Sequence, residues 1–121
     1  MNVLTWAGVA VIGGAGSLLR FLVDRTVGGR VGGTFPFGTL TVNITGATVL
    51  GLVTGLALNH DAALLAGTAA VGSYTTFSTW MLETHRHGEE RQLAIAAANI
   101  VVSVVLGVAA AKLGQTIGAR L

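Results

Sequence analysis

Gly72-Ser73-Tyr74-Thr75-Thr76-Phe77-Ser78-Thr79-Trp80 lies within Ala62 to Leu82, a stretch of 21 residues without Asp, Glu, Lys or Arg. A helix rising 1.5 Å per residue needs roughly 20 residues to cross the hydrocarbon core of a bilayer, so this stretch has the length of a membrane span. Its middle is polar: Ser73, Thr75, Thr76, Ser78 and Thr79 bring hydroxyls, and Tyr74 a phenol, to mid-membrane depth. A continuous helix accommodates one or two such residues by bonding their hydroxyls back to the preceding turn. Five of them, following a glycine, lower helix propensity and offer the backbone other partners, which predicts a break in this span. Backbone freed from helical bonding is tolerated in a bilayer only where protein buries it or where it faces water or an ion. Freed carbonyls can bind a cation, whereas hydroxyls and amides can donate to an anion. No Lys or Arg lies mid-span, so an anion there depends on neutral donors. The edges of Phe77 and Trp80, three residues apart, carry partial positive charge and could face the same ion; core packing is the ordinary role of such a pair.

The rest of the chain repeats the membrane pattern. Of 121 residues 52% are hydrophobic and 10% charged, against roughly a quarter charged in a soluble domain. Met1 to Leu19, Val31 to Asn59 and Gln92 to Ala111 are also free of charged residues. The expected architecture is all-α, one domain over residues 1–121, with four transmembrane helices near 3–25, 35–58, 62–84 and 92–114 and a broken third helix. The first window lacks the positive start of a secretory signal and reads as a retained span. The connections are short and leave no soluble domain. The basic pI comes from seven basic residues scattered over several connections, not one face, which excludes a nucleic-acid reading. Absence of cysteine removes disulfides, thiolate metal sites and a cysteine nucleophile. His85, His87 and Glu89 form the one metal-like grouping, in a charged connection whose ordinary role is a solvated loop. Gly14 and Gly16 lack the third glycine and acidic partner of a nucleotide fingerprint. No enzyme is expected.

With four spans, Arg20, Arg25, Arg30, Arg86 and Arg91 share one side of the membrane and Lys112 and Arg120 the other. This modest bias favours both termini outside and leaves insertion in both orientations open.

Two further spans carry polar stripes. Thr39, Asn43 and Gly46 in the second, and Asn99, Ser103 and Gly107 in the fourth, fall on single helix faces. Each stripe is either part of a shared ion path or a set of interhelical hydrogen bonds. Gly51 and Gly55 form a small-residue pair of the kind that lets helices pack closely in lipid. Pro36, without an amide hydrogen, fits the start of the second helix.

Taken together, the motifs resemble the Fluc fluoride channels, also called the CrcB family. FPFGTLTVNITG from Phe35 to Gly46 is similar to that family's second-helix signature and GSYTTFSTWMLET from Gly72 to Thr84 to its third; GGAGSLLRF, ending at Arg20 and Phe21, resembles its first-helix motif, one residue short. The resemblance implies a passive, selective channel for fluoride, assembled as an antiparallel dimer in the cell membrane, the prokaryotic inner or plasma membrane. It implies that carbonyls of Gly72 and Thr75 from both subunits hold one structural sodium ion at the dimer centre. It further implies a pore lined by Asn43, Phe77, Ser78 and Thr79, with Arg20 at a vestibule and Glu83 beside the pore entrance. The chain departs from the pattern at Trp80, where the family has a second phenylalanine, and at Asn99, where an ungapped alignment expects a tyrosine. Both still offer an N–H donor, and Asn99 and Ser103 extend the expected pore lining. These departures, with the charge bias, leave both a homodimer and a heterodimer with a related subunit open.

Two other functions suit a small four-helix chain. A proton-coupled multidrug antiporter needs an ionisable residue within a span, and the charge-free windows argue against it. A structural membrane subunit without transport activity would use the polar stripes for packing alone.

Overall fold

The computed structural model describes residues 2–121; Met1, the first residue of the first charge-free window, lies outside them. The described residues are helical with short connections. Helix α1 is Val3–Val31; the side chain of Asn2 caps it by accepting the amide of Thr5 at 2.9 Å, and it stops at Gly32 with φ of 67°. At 29 residues, α1 runs well past residue 25, and its roughly 43 Å exceeds a bilayer core of about 30 Å. Helix α2, Phe37–Leu56, starts directly behind Pro36 and ends at Ala57 in the left-handed region. Helix α6, Leu93–Arg120, follows a tight turn at Arg91. These three helices are each long and apolar enough to cross a membrane.

The remaining expected span is built from pieces. Helix α3, His60–Ala63, capped by Asn59, runs on into a π-helical segment, π1, over Leu64–Val71, and then into a short helix α4, Gly72–Tyr74. In π1 the turn is widened by one residue, so that the amide of Gly72 reaches the carbonyl of Gly67. At Thr75 the backbone is extended, with ψ of 162°, and helix α5 begins at Ser78 and continues to Glu89. The widened turns and the extended residue replace the single long helix that length and hydropathy alone would give.

Large apolar side chains such as Leu18, Leu22, Val101, Val105 and Val108 point outward, whereas Thr39 and Asn99 are almost fully buried. An apolar exterior around a partly polar interior is what a lipid solvent selects. Helices α2 and α6 form the tightest pair. Gly51 and Gly55 face Gly114 and Gly118: a Cβ on Gly51 would strike the carbonyl of Ala111, one on Gly114 that of Thr48, and one on Gly118 that of Leu52. Close backbone approach through small residues compensates for the missing hydrophobic force between helices in lipid. Against α2 lie α1 and the π1–α4 segment, joined where Gly16 meets Ser73 so closely that a side chain there would collide with the Ser73 hydroxyl. The non-helical residues 75–77 are thereby held against the middle of α2.

Candidate functional site

Asn43 on α2 braces the segment between α4 and α5. Its Nδ2 donates to the carbonyl of Thr76 at 2.8 Å, and the amide of Thr76 donates to its Oδ1 at 2.9 Å. The side-chain amide thus pairs with both the N–H and the C=O of one residue much as a neighbouring strand would, and one N–H of Nδ2 remains. Gly46, one turn further along α2, makes room for this approach, because a Cβ there would collide with the Thr75 methyl.

The brace changes where the backbone bonds go. In an unbroken α-helix the Thr76 amide would serve the carbonyl of Gly72; here it serves Asn43. The Thr79 amide, which would serve the carbonyl of Thr75, instead donates to Thr76 Oγ1 at 3.1 Å. The two carbonyls expected to hold a cation are therefore the two whose helical donors have been redirected to side chains. Gly72 and Thr75 also border one groove of about 520 Å³, formed with Leu50, Val53 and Gly67. The hydroxyls of Ser73 and Thr75 bond back to Ala69 and Val71, in the way a continuous helix would use them. Those of Thr76 and Ser78 face each other at 3.4 Å instead.

Asn43, Thr75, Thr76, Phe77 and Trp80 converge on a second groove of about 270 Å³. Thr75 borders both grooves. The rings of Phe77 and Trp80 are edge to face, with centroids 5.7 Å apart and planes at 81°. Phe77 is 69% exposed in the single chain, so its ring faces away from the chain's own core. Ser78 and Thr79 start α5 beside this groove without lining it. Asn99 is fully buried behind it on α6, its Nδ2 donating to Thr84 Oγ1 at 2.9 Å. Ser103 lies one turn beyond Asn99, half-buried.

Arg20 and Glu83 are set apart from the groove. Arg20 is on α1, one turn from the Gly16–Ser73 contact, and its Nε is buried without a partner among the described residues. Glu83 lines a polar cavity of about 230 Å³ with Asp24, Arg86, His87 and the loop from Gly32 to Pro36. His85 pairs with Glu89 at 2.7 Å, while His87 turns inward to Gln92 at 2.8 Å, so the His85, His87 and Glu89 side chains do not converge. Three contributions went unnoticed in the sequence. The backbone of Thr76, a residue picked out there only for its hydroxyl, is what Asn43 grips, Thr84 ties α5 to α6, and Asp24 shares the Glu83 cavity. Only Thr84, one helical turn after Trp80, carried a usable spacing signal.

Described residues that are helical apart from a braced internal segment and short connections, with an apolar exterior and, among them, three span-length helices, define a small multi-pass membrane protein. More particularly, the chain belongs to the CrcB family: the family described as CrcB-like protein, Camphor Resistance (CrcB), matches residues 7–115. It is 69% identical over 117 residues to Fluoride-specific ion channel FluC 2 of Mycobacterium tuberculosis, which covers 97% of this chain and 93% of that protein. It is 40% identical over 124 residues to Fluoride-specific ion channel FluC 1 of Symbiobacterium thermophilum, covering 95% and 98%. With Fluoride-specific ion channel FluC 2 of Cutibacterium acnes it shares 36% over 123 residues, covering 98% and 100%.

Proposed function

We propose that this chain is a fluoride-selective passive ion channel, not an enzyme, that lets fluoride leave the cytoplasm through the cell membrane. The observation that carries the proposal is the bidentate grip of Asn43 on Thr76, which holds a non-helical segment open beside Phe77 and Trp80. The likeness to relatives named as fluoride channels supports the choice of ion.

Fluoride is small and strongly hydrated, so a dry path must replace its water with closely spaced donors and exclude larger anions by size and incomplete replacement of their hydration. The remaining N–H of Asn43 and the hydroxyls of Ser78 and Thr79 supply donors, and the ring edges of Phe77 and Trp80 add weak positive potential. Ser103 extends the path along α6, with Arg20 at a vestibule and Glu83 beside the entrance. Hydrogen fluoride enters cells as the neutral acid and dissociates in a less acidic cytoplasm; a channel then returns the anion down its gradient without ATP.

The third crossing in this reading is α3–π1–α4, the extended residues and the first part of α5, a helix broken at its centre. The exposure of Phe77 supports an antiparallel dimer in which a second subunit, the same chain or a related one, closes the groove. The redirected donors of Gly72 and Thr75 fit a structural sodium ion, which requires carbonyl oxygens released from helical bonding. When bound, the ion would neutralise these oxygens at the subunit junction and is not itself transported.

The test is growth of a fluoride-sensitive bacterium, stripped of its own fluoride exporters, on fluoride-containing medium. Expression of this chain should restore growth and lower cell-associated fluoride, and Asn43→Leu should not. Unchanged fluoride accumulation with the protein present in the membrane, alone and with a related subunit, would refute the proposal.

A further inference from the structure

Trp80 and Asn99 lie on different helices and are joined at both ends of Trp80. The indole Nε1–H donates to the main-chain carbonyl of Asn99 at 3.1 Å. Asn99 Nδ2 donates to Thr84 Oγ1 at 2.9 Å and reaches the carbonyl of Trp80 at 3.5 Å, while Thr84 Oγ1 donates to that same carbonyl at 2.9 Å. Asn99 has no exposed surface, and its Oδ1 is buried without a partner among the described residues. The donors of Asn99 therefore point at α5, and its one free valence is an acceptor, which repels an anion.

We infer that Asn99, with Thr84, is a positioning residue that fixes the Trp80 indole beside Phe77, and is not itself an anion ligand. This rests on the fluoride-path reading of the Asn43–Phe77–Trp80 groove. In the knot, the indole N–H is engaged by α6, so what Trp80 presents to the groove is its hydrocarbon ring, as a phenylalanine would. A tryptophan at this position carries an extra donor that would compete for water or for any anion, and pairing it with the Asn99 carbonyl removes that competition. The side chain of Asn99 holds the turn of α5 from which the ring projects, so the orientation of the ring relative to Phe77, 81° between planes, follows from contacts that α6 makes with the ring and with the turn that carries it.

The test uses the full chain reconstituted in liposomes, in a Trp6→Phe background that leaves Trp80 as the one tryptophan of the two. Fluoride and chloride efflux and Trp80 fluorescence anisotropy are measured for Asn99→Leu, Thr84→Val, the double variant and Thr84→Ser. Loss of a buried hydrogen bond of this kind is expected to lower the fluoride-to-chloride ratio about tenfold in either single variant, equivalent to about 1.4 kcal/mol. Anisotropy should fall in both, the double variant should be no worse than either single one, and Thr84→Ser should behave as wild type. The inference is overturned if Asn99→Leu abolishes fluoride efflux with Trp80 anisotropy unchanged, or if the two effects add. Should Asn99→Leu fail to assemble, Thr84→Val against Thr84→Ser decides: equal anisotropy and selectivity in these two overturns it. Because anisotropy is read without any ion, a wild type that conducts no fluoride refutes the channel reading and leaves the positioning role separately decided.

Discussion

Replacing Asn43 by leucine removes both hydrogen bonds that hold Thr76 out of the helix, at 2.8 and 2.9 Å. A fully buried donor or acceptor left unpaired loses roughly 1–3 kcal/mol, so the two half-buried Thr76 groups together lose at most roughly 2–6 kcal/mol if the segment stays open. The chain has a cheaper alternative. The Thr76 amide can return to the Gly72 carbonyl, an ordinary helical bond, so the open segment should rewind toward continuous helix. Even 2 kcal/mol corresponds to more than a tenfold shift of population at about 1.4 kcal/mol per decade. Asn43→Leu is accordingly expected to lower the initial rate of fluoride efflux at least tenfold per reconstituted protein and to change hydrogen exchange at the Thr76 amide. Asn43→Asp keeps the acceptor for that amide but sets an oxygen against the Thr76 carbonyl, and should fall between leucine and wild type. Efflux and Thr76 exchange both equal to wild type in Asn43→Leu would refute the argument that this side chain props the segment open.

Other consequences are more local. Gly114→Val places its Cβ against the Thr48 carbonyl and is expected to destabilise the α2–α6 pair by about 1–3 kcal/mol; Gly14→Ala, which meets nothing within 4 Å, should remain within about 0.5 kcal/mol of wild type in detergent unfolding. Thr76→Val deletes the acceptor for the Thr79 amide at the start of α5. It should lower stability by about 1 kcal/mol, the ordinary effect of losing a helix-capping oxygen, with Thr76→Ser close to neutral. If the Gly72 and Thr75 carbonyls hold sodium, thermal midpoints should rise with sodium concentration and not with a large organic cation. The rise should approach about 1.4 kcal/mol per decade above saturation; midpoints independent of sodium would count against the site.

Much of this architecture can be read from the chain because lipid imposes simple demands. Charge-free windows marked the apolar helices α1, α2 and α6, and the Gly51–Gly55 pair marked close packing, since small residues at four-residue spacing have few other uses. The partners Gly114 and Gly118 were less visible, because contact across helices is not a property of either helix alone. Hydroxyl density flagged Gly72 to Thr79 as unusual, but not how its backbone is satisfied. That depends on Asn43, 33 residues earlier in the chain. The π1 turns left no signal, as Leu64–Val71 reads as ordinary apolar helix. Asn99 looked like a donor on a polar stripe; only its contacts with Trp80 and Thr84 reveal that the donors face inward.

The central claim is that fluoride, and not larger anions, passes along the groove at Asn43, Phe77 and Trp80. The most direct measurement is simultaneous efflux of fluoride and chloride from liposomes loaded with equal amounts of both and reconstituted with this chain. Rapid release of fluoride with chloride retained is the predicted result. Fluoride release no faster than from empty vesicles, with and without a related subunit, or release of both ions together, would contradict it.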